Sequence, residues 1–243
     1  RSGELWFTKV DGSSTKQLVT ENPIVSAGLN EFWFFFIDST GSLFSMRQDT
    51  IPYWSEVKPE VVQQEIQFKE IIKVGRAPRK IVEDSHSLKK VEPPRLETNL
   101  PVLQHVECCY KFGICIDENG FVWKIENVEQ RCKELPQLRR IPRVANISAV
   151  SCGRSHCLLL DSEGQLFGMG SNGSGELGMG GMGKTTKPKK LENLPKIVDL
   201  SCSHSHSMIL SEDGVLYTFG SNDFGQLGLG DKISRNRPKI VPR

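Results

Sequence analysis

An internal repeat of 50 residues limits the fold of this chain more than any other feature of its sequence. Residues 151–180 align with residues 201–230, and 14 of the 30 aligned positions are identical. Most of the other pairs are conservative, such as Phe167 with Tyr217. A repeat of this length is the signature of one structural unit that is used again, so we expect similar units arranged in series.

Each copy of the repeat predicts short strands joined by a polar turn. A run of small and apolar residues leads to "DSEG" in the first copy and to "SEDG" in the second, and another apolar segment follows at Leu166 or Leu216. The S-N-x-x-G-x-L-G-x-G segment that closes each copy is too rich in glycine for a helix. We therefore expect a tight surface loop there.

Fainter copies of the same unit precede the clear ones, at 28–46, 73–91 and 107–125. The turn residues of all copies fall at positions 3, 41, 86, 120, 164 and 214, with spacings of 38, 45, 34, 44 and 50. Short strands at this period are typical of the blades of a β-propeller. We therefore predict an all-β protein made of about five to seven four-stranded blades arranged radially, and apparently incomplete in this chain.

The repeats also predict the domain organisation. We expect one propeller domain over residues 1–243, with clear repeats at 147–196 and 197–243 and degenerate repeats at 1–146. The aromatic segment "EFWFFFID" at 31–38 is interpreted as a core strand, with an exposed binding surface as the alternative. The weakly helical stretch at 56–74 is interpreted as a blade insertion or an outer strand.

A second motif, "GMGGMGKTT" at 178–186, fits the pattern of a phosphate-binding loop. Such a loop needs a buried strand before it and a helix after it, because the helix N-terminus supplies much of the anion binding. The preceding "SNGSGEL" is not a buried strand, and the following "KPKKLENLP" has two prolines and no apolar stripe. We predict an inter-strand loop, with nucleotide hydrolysis as the alternative.

Composition narrows the classes of partner and compartment. The 31 basic and 29 acidic residues give a net charge of +2, which argues against nucleic acid or a membrane surface as the main partner. No apolar run approaches the roughly 20 residues of a membrane span. Seven cysteines without a C-x-x-C motif favour a reducing compartment, so we expect an intracellular protein, cytoplasmic or nuclear or both.

Two histidines, His156 and His206, occupy the same position of the repeat. They could form a metal-binding or catalytic pair, or each could form a hydrogen bond to the neighbouring blade. Equivalent placement favours the second interpretation, because a propeller presents equivalent positions around a ring. His204 has no such repeat symmetry, and we expect it to point outward.

Cys108, Cys152 and Cys202 share another repeat position. Zinc needs four converging ligands, whereas identical positions on different blades are expected to be spread around the axis. We therefore interpret these cysteines as buried small residues. No catalytic triad can be assembled from the sequence, and we predict no metal site and no cofactor.

The motif "SCGRSHCLLL…G-x-L-F/Y-x-x-G-S-N-x-x-G-x-L-G-x-G" at 151–230 closely resembles the repeat of the regulator of chromosome condensation family. This resemblance implies a β-propeller, usually of seven blades. The six hairpins counted here are fewer than seven full blades, so we expect a shortened or open ring. Open strand edges recruit partners or further copies of the chain, and self-association is a further expectation.

The resemblance implies two classes of function. The founding member is a nucleotide-exchange factor for the small GTPase Ran, whereas many relatives are interaction platforms in ubiquitin ligases, kinases and trafficking proteins. Exchange uses acidic and polar side chains from loops on one face, including the loop between the first two strands of each repeat. Those loops, at 152–156 and 202–206, contain no Asp or Glu, and only Glu31 is acidic in the fainter copies.

We therefore predict a non-catalytic protein-interaction module, with a guanine nucleotide exchange factor as the alternative. The expected partner is a protein, such as a small GTPase or a component of the ubiquitin pathway, that binds one face of the propeller. The candidate partner-binding residues are Arg154, His156, His204, His206, Glu31 and Lys184.

Overall fold

The computed structural model of this chain is built from β-strands. It describes residues 5–8, 15–18, 22–29, 33–47, 89–90, 102–126, 128 and 136–242, and within these residues no helix occurs. The residues at 56–74, Glu31, and the turn positions 3 and 86 lie outside the described residues. The all-β class predicted from the repeat is confirmed.

The strands form one hairpin and four four-stranded antiparallel sheets, which we call blades I to IV. In every blade the strands lie side by side in chain order, so each blade is a simple meander. The hairpin consists of β1 (Leu5–Thr8) and β2 (Thr15–Leu18). Blade I contains β3 (Ile24–Leu29), β4 (Trp33–Asp38), β5 (Leu43–Arg47) and β6 (Lys89–Lys90). Blade II contains β7 (Leu103–Cys108), β8 (Gly113–Asp117), β9 (Val122–Glu126) and β10 (Gln137–Arg140). Blade III contains β11 (Ile147–Cys152), β12 (His156–Asp161), β13 (Leu166–Gly170) and β14 (Thr185–Lys190). Blade IV contains β15 (Ile197–Cys202), β16 (His206–Ser211), β17 (Leu216–Gly220) and β18 (Arg235–Ile240).

The first strands of consecutive blades lie against each other, β3 on β7, β7 on β11 and β11 on β15. Apolar side chains fill the spaces between neighbouring blades, and three hydrophobic clusters occupy the I–II, II–III and III–IV junctions. A sheet that is covered on both faces shows continuous burial instead of alternation, and β4 and β12 are buried at every residue. The interpretation of Trp33–Asp38 as a core strand is thus confirmed.

The turn between the second and third strands of each blade is closed by the same side-chain contact in blades I, II and III. Asp161 Oδ1 accepts hydrogen bonds from the backbone N–H groups of Glu163 and Gln165, at 3.0 and 2.7 Å. Asp38 and Asp117 make the equivalent bonds in blades I and II. An Asp at the start of a turn can do this because its short carboxylate reaches amides two and four residues later.

The turn glycine attaches each blade to the next. Gly164 has a φ of +83°, which favours glycine, and its carbonyl accepts a hydrogen bond from the backbone N–H of Ile197 at 3.0 Å. A Cβ atom there would overlap the Lys196 side chain and lie 2.9 Å from the Ile197 carbonyl oxygen. Gly41 and Gly120 link blades I and II to their successors in the same way.

Of residues 178–186, those up to Lys184 form a loop, and Thr185 begins strand β14. The expectation of an inter-strand loop is confirmed, because no helix follows Lys184 to present its N-terminus to a phosphate. The expectation of a surface loop is wrong for part of the segment. Leu177 is fully buried and Asn172 nearly so, because the loop folds back on the blade. No helix in the described part of the chain has the length and apolar character needed to span a bilayer.

Candidate functional site

Two sets of loops lie at one end of the blades, which we call the upper face. The inner loops join the first and second strands of blades II, III and IV, at 109–112, 153–155 and 203–205. The outer loops join the third and fourth strands of blades III and IV, at 171–184 and 221–234. Because alternate connections of an antiparallel meander emerge at the same end, the fold places both sets together.

The inner loops of three consecutive blades are joined by their backbones. The N–H of Tyr110 donates to the carbonyl of Arg154 at 2.7 Å, and the N–H of Arg154 donates to the carbonyl of His204 at 3.2 Å. These three residues occupy the same repeat position in blades II, III and IV, two residues after Cys108, Cys152 and Cys202. The backbone hydrogen bonds therefore hold equivalent residues next to each other.

The side chains of these three residues are also in contact. The guanidinium of Arg154 lies 5.5 Å from the centre of the Tyr110 ring, and its Nη1 lies 3.1 Å from Nε2 of His204. Arginine can only donate, so Nε2 of His204 accepts and the proton is on Nδ1. Nδ1 lies 2.8 Å from the Ser205 hydroxyl, whose oxygen can accept a hydrogen bond from this N–H group.

This arrangement corrects one expectation from the sequence. Equivalent residues were expected to be spread around the axis, but at the inner loops they touch. Blades diverge with distance from the axis of a propeller and converge towards it. A repeat position near the axis therefore brings neighbouring copies within contact distance.

A groove of about 270 Å³ opens between the inner loops and the outer loop of blade III. Lys111 and Arg154 supply two cationic side chains, while Tyr110, His204 and Glu176 supply an aromatic ring, an imidazole and a carboxylate. Four hydroxyl groups complete the polar lining, those of Ser155, Ser171, Ser174 and Ser205. None of the described residues that line this groove has an aliphatic side chain, so its chemistry is that of a hydrogen-bonding and anion-attracting site.

The sequence analysis did not name Tyr110 and Lys111 as site residues, and it also missed Glu176. The side chain of Glu176 is 5% exposed, and Oε2 accepts a hydrogen bond from the backbone N–H of Ser174 at 2.7 Å. The family resemblance points to acidic residues in the inner loops, whereas Glu176 comes from the outer loop of blade III. The sequence does carry a signal for this residue. Both repeats place a polar residue between a loop glycine and the buried leucine, and it is Glu176 in one repeat and Gln226 in the other.

His156 lies beneath the groove and connects blade III to blade IV. It is fully buried, and its Nε2 lies 2.9 Å from the Ser207 hydroxyl, which itself donates to the carbonyl of Glu176 at 2.8 Å. Nε2 is therefore the donor, and Nδ1 is a buried nitrogen without a partner in the described part of the chain. Burial lowers the pKa of His156 to about 4. The hydrogen bond to the neighbouring blade agrees with the second interpretation of this histidine.

The remaining candidates are not gathered at the groove. His206 is half-buried and burial lowers its pKa, and it does not line the groove. Lys184 is exposed at the end of the outer loop of blade III, also away from the groove lining. Glu31 lies outside the described residues. Of the six candidate residues, the structure brings Arg154 and His204 together.

The repeat-equivalent Cys108, Cys152 and Cys202 pack against three different hydrophobic clusters, at the I–II, II–III and III–IV junctions. They are therefore distributed from blade to blade, as the repeat predicts. Burial raises the pKa of Cys109 to about 11 and that of Cys202 to about 12, which keeps these thiols protonated and unreactive. Cys108, Cys152 and Cys202 are half-buried and pack against apolar clusters, so the interpretation as small packing residues agrees with their environment, while full burial does not. Among the described residues no group of three or more His, Cys, Asp or Glu side chains is arranged to hold a metal ion.

Comparison with known proteins gives a family for the C-terminal part of the chain. One sequence profile, described as the regulator of chromosome condensation (RCC1) repeat, matches residues 163–210 and 213–243. A second profile with the same description matches residues 147–176 and 197–226. Together they cover blades III and IV.

Several solved structures are similar to nearly the whole chain. Human WBSCR16 covers 94% of it with a TM-score of 0.69 and 18% identity. Yeast RCC1 (Prp20) in complex with Kap60 covers 95% with a TM-score of 0.66 and 16% identity. Prp20p from Saccharomyces cerevisiae, whose binding properties to Gsp1p and histones were described with its structure, covers 95% with a TM-score of 0.66 and 15% identity.

The chain spans 57%, 51% and 53% of the lengths of these three proteins, which is little more than half. At such low identity the structural likeness shows the fold, while the two profiles show the repeat. Residues 147–243 therefore belong to the regulator of chromosome condensation (RCC1) repeat family, and the chain has the β-propeller fold of that family.

Proposed function

We propose that this chain is a non-catalytic β-propeller module that binds a partner protein through its upper face. The observation that carries the proposal is the groove at the junction of blades II, III and IV. Its exposed Arg154 is in contact with Tyr110 and His204 but with no acidic side chain of the described residues. A cation that is held in place and not neutralised is suited to a partner that brings the missing negative charge.

The outer loops add apolar side chains to the same face. Phe224 is 89% exposed, and Met182 and Ile233 are 66% and 65% exposed. Exposed Phe and Met are enriched in protein interfaces, usually inside a polar rim. The upper face therefore combines a polar groove with apolar residues, as a protein-binding surface does.

The outer loops are also held rigidly, which lowers the entropic cost of binding. Asn172 Oδ1 accepts a hydrogen bond from the N–H of Leu177 at 2.9 Å, and its Nδ2 donates to the carbonyl of Gly181 at 2.7 Å. Asn222 makes the equivalent bonds to Leu227 and Asp231 in blade IV. Each loop is thus closed by a buried asparagine of its own blade.

The proposed partner is a small GTPase or a component of the ubiquitin pathway. Kap60, Gsp1p and histones are named with the similar yeast propellers, which supports a protein as the partner class. We also propose that residues 1–243 form one propeller domain and that the protein acts inside the cell. No disulfide occurs at Cys108, Cys115, Cys152, Cys157 or Cys202 among the described residues, which supports a reducing compartment.

Guanine nucleotide exchange is the second candidate, and Glu176 is the observation that favours it. This carboxylate lies in the groove of the upper face, where the inner loops supply no acidic side chain. Release of labelled GDP from a panel of small GTPases separates the two candidates. Acceleration by catalytic amounts of the protein would contradict the non-catalytic proposal, while unchanged release rates would argue against exchange activity.

Photo-crosslinking tests the proposed face directly. A photoreactive amino acid at Phe224 reports on the upper face, and the same group at Asp213, exposed in the turn at the other end of blade IV, is the matched control. We expect adducts to a discrete set of proteins from position 224 and none from position 213. Adducts from position 213 alone would overturn the choice of face.

A further inference from the structure

We propose that the groove on the upper face binds an acidic segment of a partner protein, with a carboxylate seated on Arg154. This inference rests on the proposed function and adds the chemistry of the partner. Its basis is the combination of two cations, three equivalent residues in contact and four serine hydroxyl groups in one groove.

Unneutralised charge is the first argument. Ion pairs between described residues include Arg235 with Asp231 and Lys196 with Glu212, and they leave other cations of the surface unpaired. Arg154 and Lys111 line the groove and form no ion pair with a described residue. A polar groove with uncompensated positive charge favours an anionic ligand.

Pre-organisation of the guanidinium is the second argument. The ring of Tyr110 lies beside the Arg154 side chain, and Nε2 of His204 accepts one of its N–H groups. A guanidinium has five N–H donors in a planar fork, so four remain for a ligand. Because the backbone of Arg154 is itself bonded to blades II and IV, little conformational freedom is lost when a carboxylate binds.

The size and charge of the groove select the ligand. A volume of about 270 Å³ is below that of sites for drug-sized molecules and suits one or two short side chains with their waters. The buried carboxylate of Glu176 adds a negative charge to the wall. Two cationic side chains and one acidic side chain leave one net positive charge in the lining. One Asp or Glu side chain balances this charge and a doubly charged phosphate exceeds it, so we assign a carboxylate.

The test is fluorescence anisotropy with labelled peptides of equal length. One peptide contains Glu alternating with Gly and Ser, the second has Lys in place of Glu, and the third carries one phosphoserine among neutral residues. We expect the Glu peptide to bind, the Lys peptide not to bind, and the phosphoserine peptide to bind more weakly than the Glu peptide. Binding should weaken as salt rises from about 0.05 to about 0.3 M, because charge contacts at a surface are screened.

Variants assign the binding to the groove. Arg154→Ala should weaken the affinity for the Glu peptide roughly tenfold, the lower end of what a hydrogen bond to a charged group contributes. Arg154→Lys keeps the charge but loses the forked geometry, so an intermediate loss is expected. Lys187→Ala removes one charge from an exposed position of strand β14 in the same blade, and it should leave the affinity unchanged. Circular dichroism with a thermal melt verifies that each variant is folded.

The following outcomes would overturn the proposed acidic ligand. Tighter binding of the phosphoserine peptide would make the site a phosphate site, and an equal loss in Arg154→Ala and Lys187→Ala would place binding outside the groove. Absence of Glu-peptide binding while position 224 still crosslinks would remove the acidic ligand and leave the proposed function standing. Loss of crosslinking from the upper face would remove both.

Discussion

Blades III and IV have closely similar sequences but different surroundings. Strand β12 of blade III is buried at all six residues, whereas β16 of blade IV alternates between buried and half-buried residues. Leu166 is 1% exposed, and its counterpart Leu216 is 38% exposed. Blade III is covered on both sides and blade IV on one side within the described residues. The burial of a repeat position is therefore set by the neighbouring blade as much as by the residue.

The two blades also contribute different residues to the groove of the upper face. Arg154 and Glu176 of blade III meet His204 and Ser205 of blade IV across the junction. The repeat partners of Arg154 and Glu176 are His204 and Gln226, so blade IV does not carry the charged residues of this groove. The charges of the groove are thus a property of the junction between blades, not of the repeat itself.

The largest difference in stability loss between blades III and IV is expected for the leucines at the start of their third strands. Leu166→Ala should lower the free energy of unfolding by about 3 kcal/mol, because a fully buried side chain leaves a cavity. Leu216→Ala should cost about 1 kcal/mol or less, since part of that side chain already contacts water. Chemical denaturation of both variants measures the difference. Equal losses would show that blade IV is covered as blade III is.

The turn glycines give the next contrast. Gly164→Ala combines the strain of a positive φ with overlap against Lys196 and Ile197, so we expect a loss of about 3 kcal/mol. Gly214→Ala has a similar φ of +74° but open space around the added methyl group, so a loss of about 1 kcal/mol is expected. Thermal melts of the two variants measure these losses of stability. Equal losses would contradict the contact of Gly164 with blade IV.

The buried histidine of blade III adds a pH dependence. Unfolded His156 takes up a proton below its ordinary pKa of 6.5, whereas folded His156 does so only near its lowered pKa of about 4. The unfolded state binds more protons between these values, so stability falls as the pH is lowered through this window and levels off below it. At pH 5 this penalty amounts to about 2 kcal/mol.

The variant His156→Gln keeps an N–H donor for Ser207 and cannot titrate. Between pH 7.5 and pH 5 the free energy of unfolding should fall for both proteins. We expect the fall to be about 2 kcal/mol smaller in the variant than in the parent protein, because the variant lacks the titrating imidazole. His206→Gln, in the half-buried position of blade IV, is the matched control with a smaller effect. An unchanged pH profile in His156→Gln would contradict the burial of this imidazole.

The smallest difference in stability loss between blades III and IV is expected for the loop asparagines. Asn172→Ala and Asn222→Ala each leave a buried leucine N–H without its acceptor, which costs about 1–3 kcal/mol. Both loops are closed within their own blades, so the two losses should agree closely. Urea denaturation of both variants tests this, and a much larger loss for Asn172 would show that the loop of blade III depends on blade IV.

The sequence predicts the parts of the fold that are local. The period of 50 residues predicts the matching strands of blades III and IV, and the turn positions predict Gly41 and Gly120 even in the faint repeats. Prolines and glycines predict that Lys184 does not precede a helix. These features depend on residues that are close in the chain, so a pattern in the sequence records them.

The site depends on distances that no repeat pattern records. Equivalence predicts that Tyr110, Arg154 and His204 occupy the same place in their blades, but not how far that place lies from the axis. Glu176 reaches the groove from another loop and lies 22 residues beyond Arg154 in the chain. Contacts between blades are set by the packing of whole sheets, so the sequence analysis could name Arg154 and His204 but could not assemble the groove.

The most direct test of the account is hydrogen exchange at the three equivalent amides of the inner loops. The N–H groups of Tyr110 and Arg154 donate to the next blade, whereas the N–H of His204 makes no such bond within the described residues. We predict that the amides of Tyr110 and Arg154 exchange roughly tenfold or more slowly than that of His204. Equal and fast exchange at all three amides would mean that the inner loops do not meet, and the groove and its proposed ligand would fall with them.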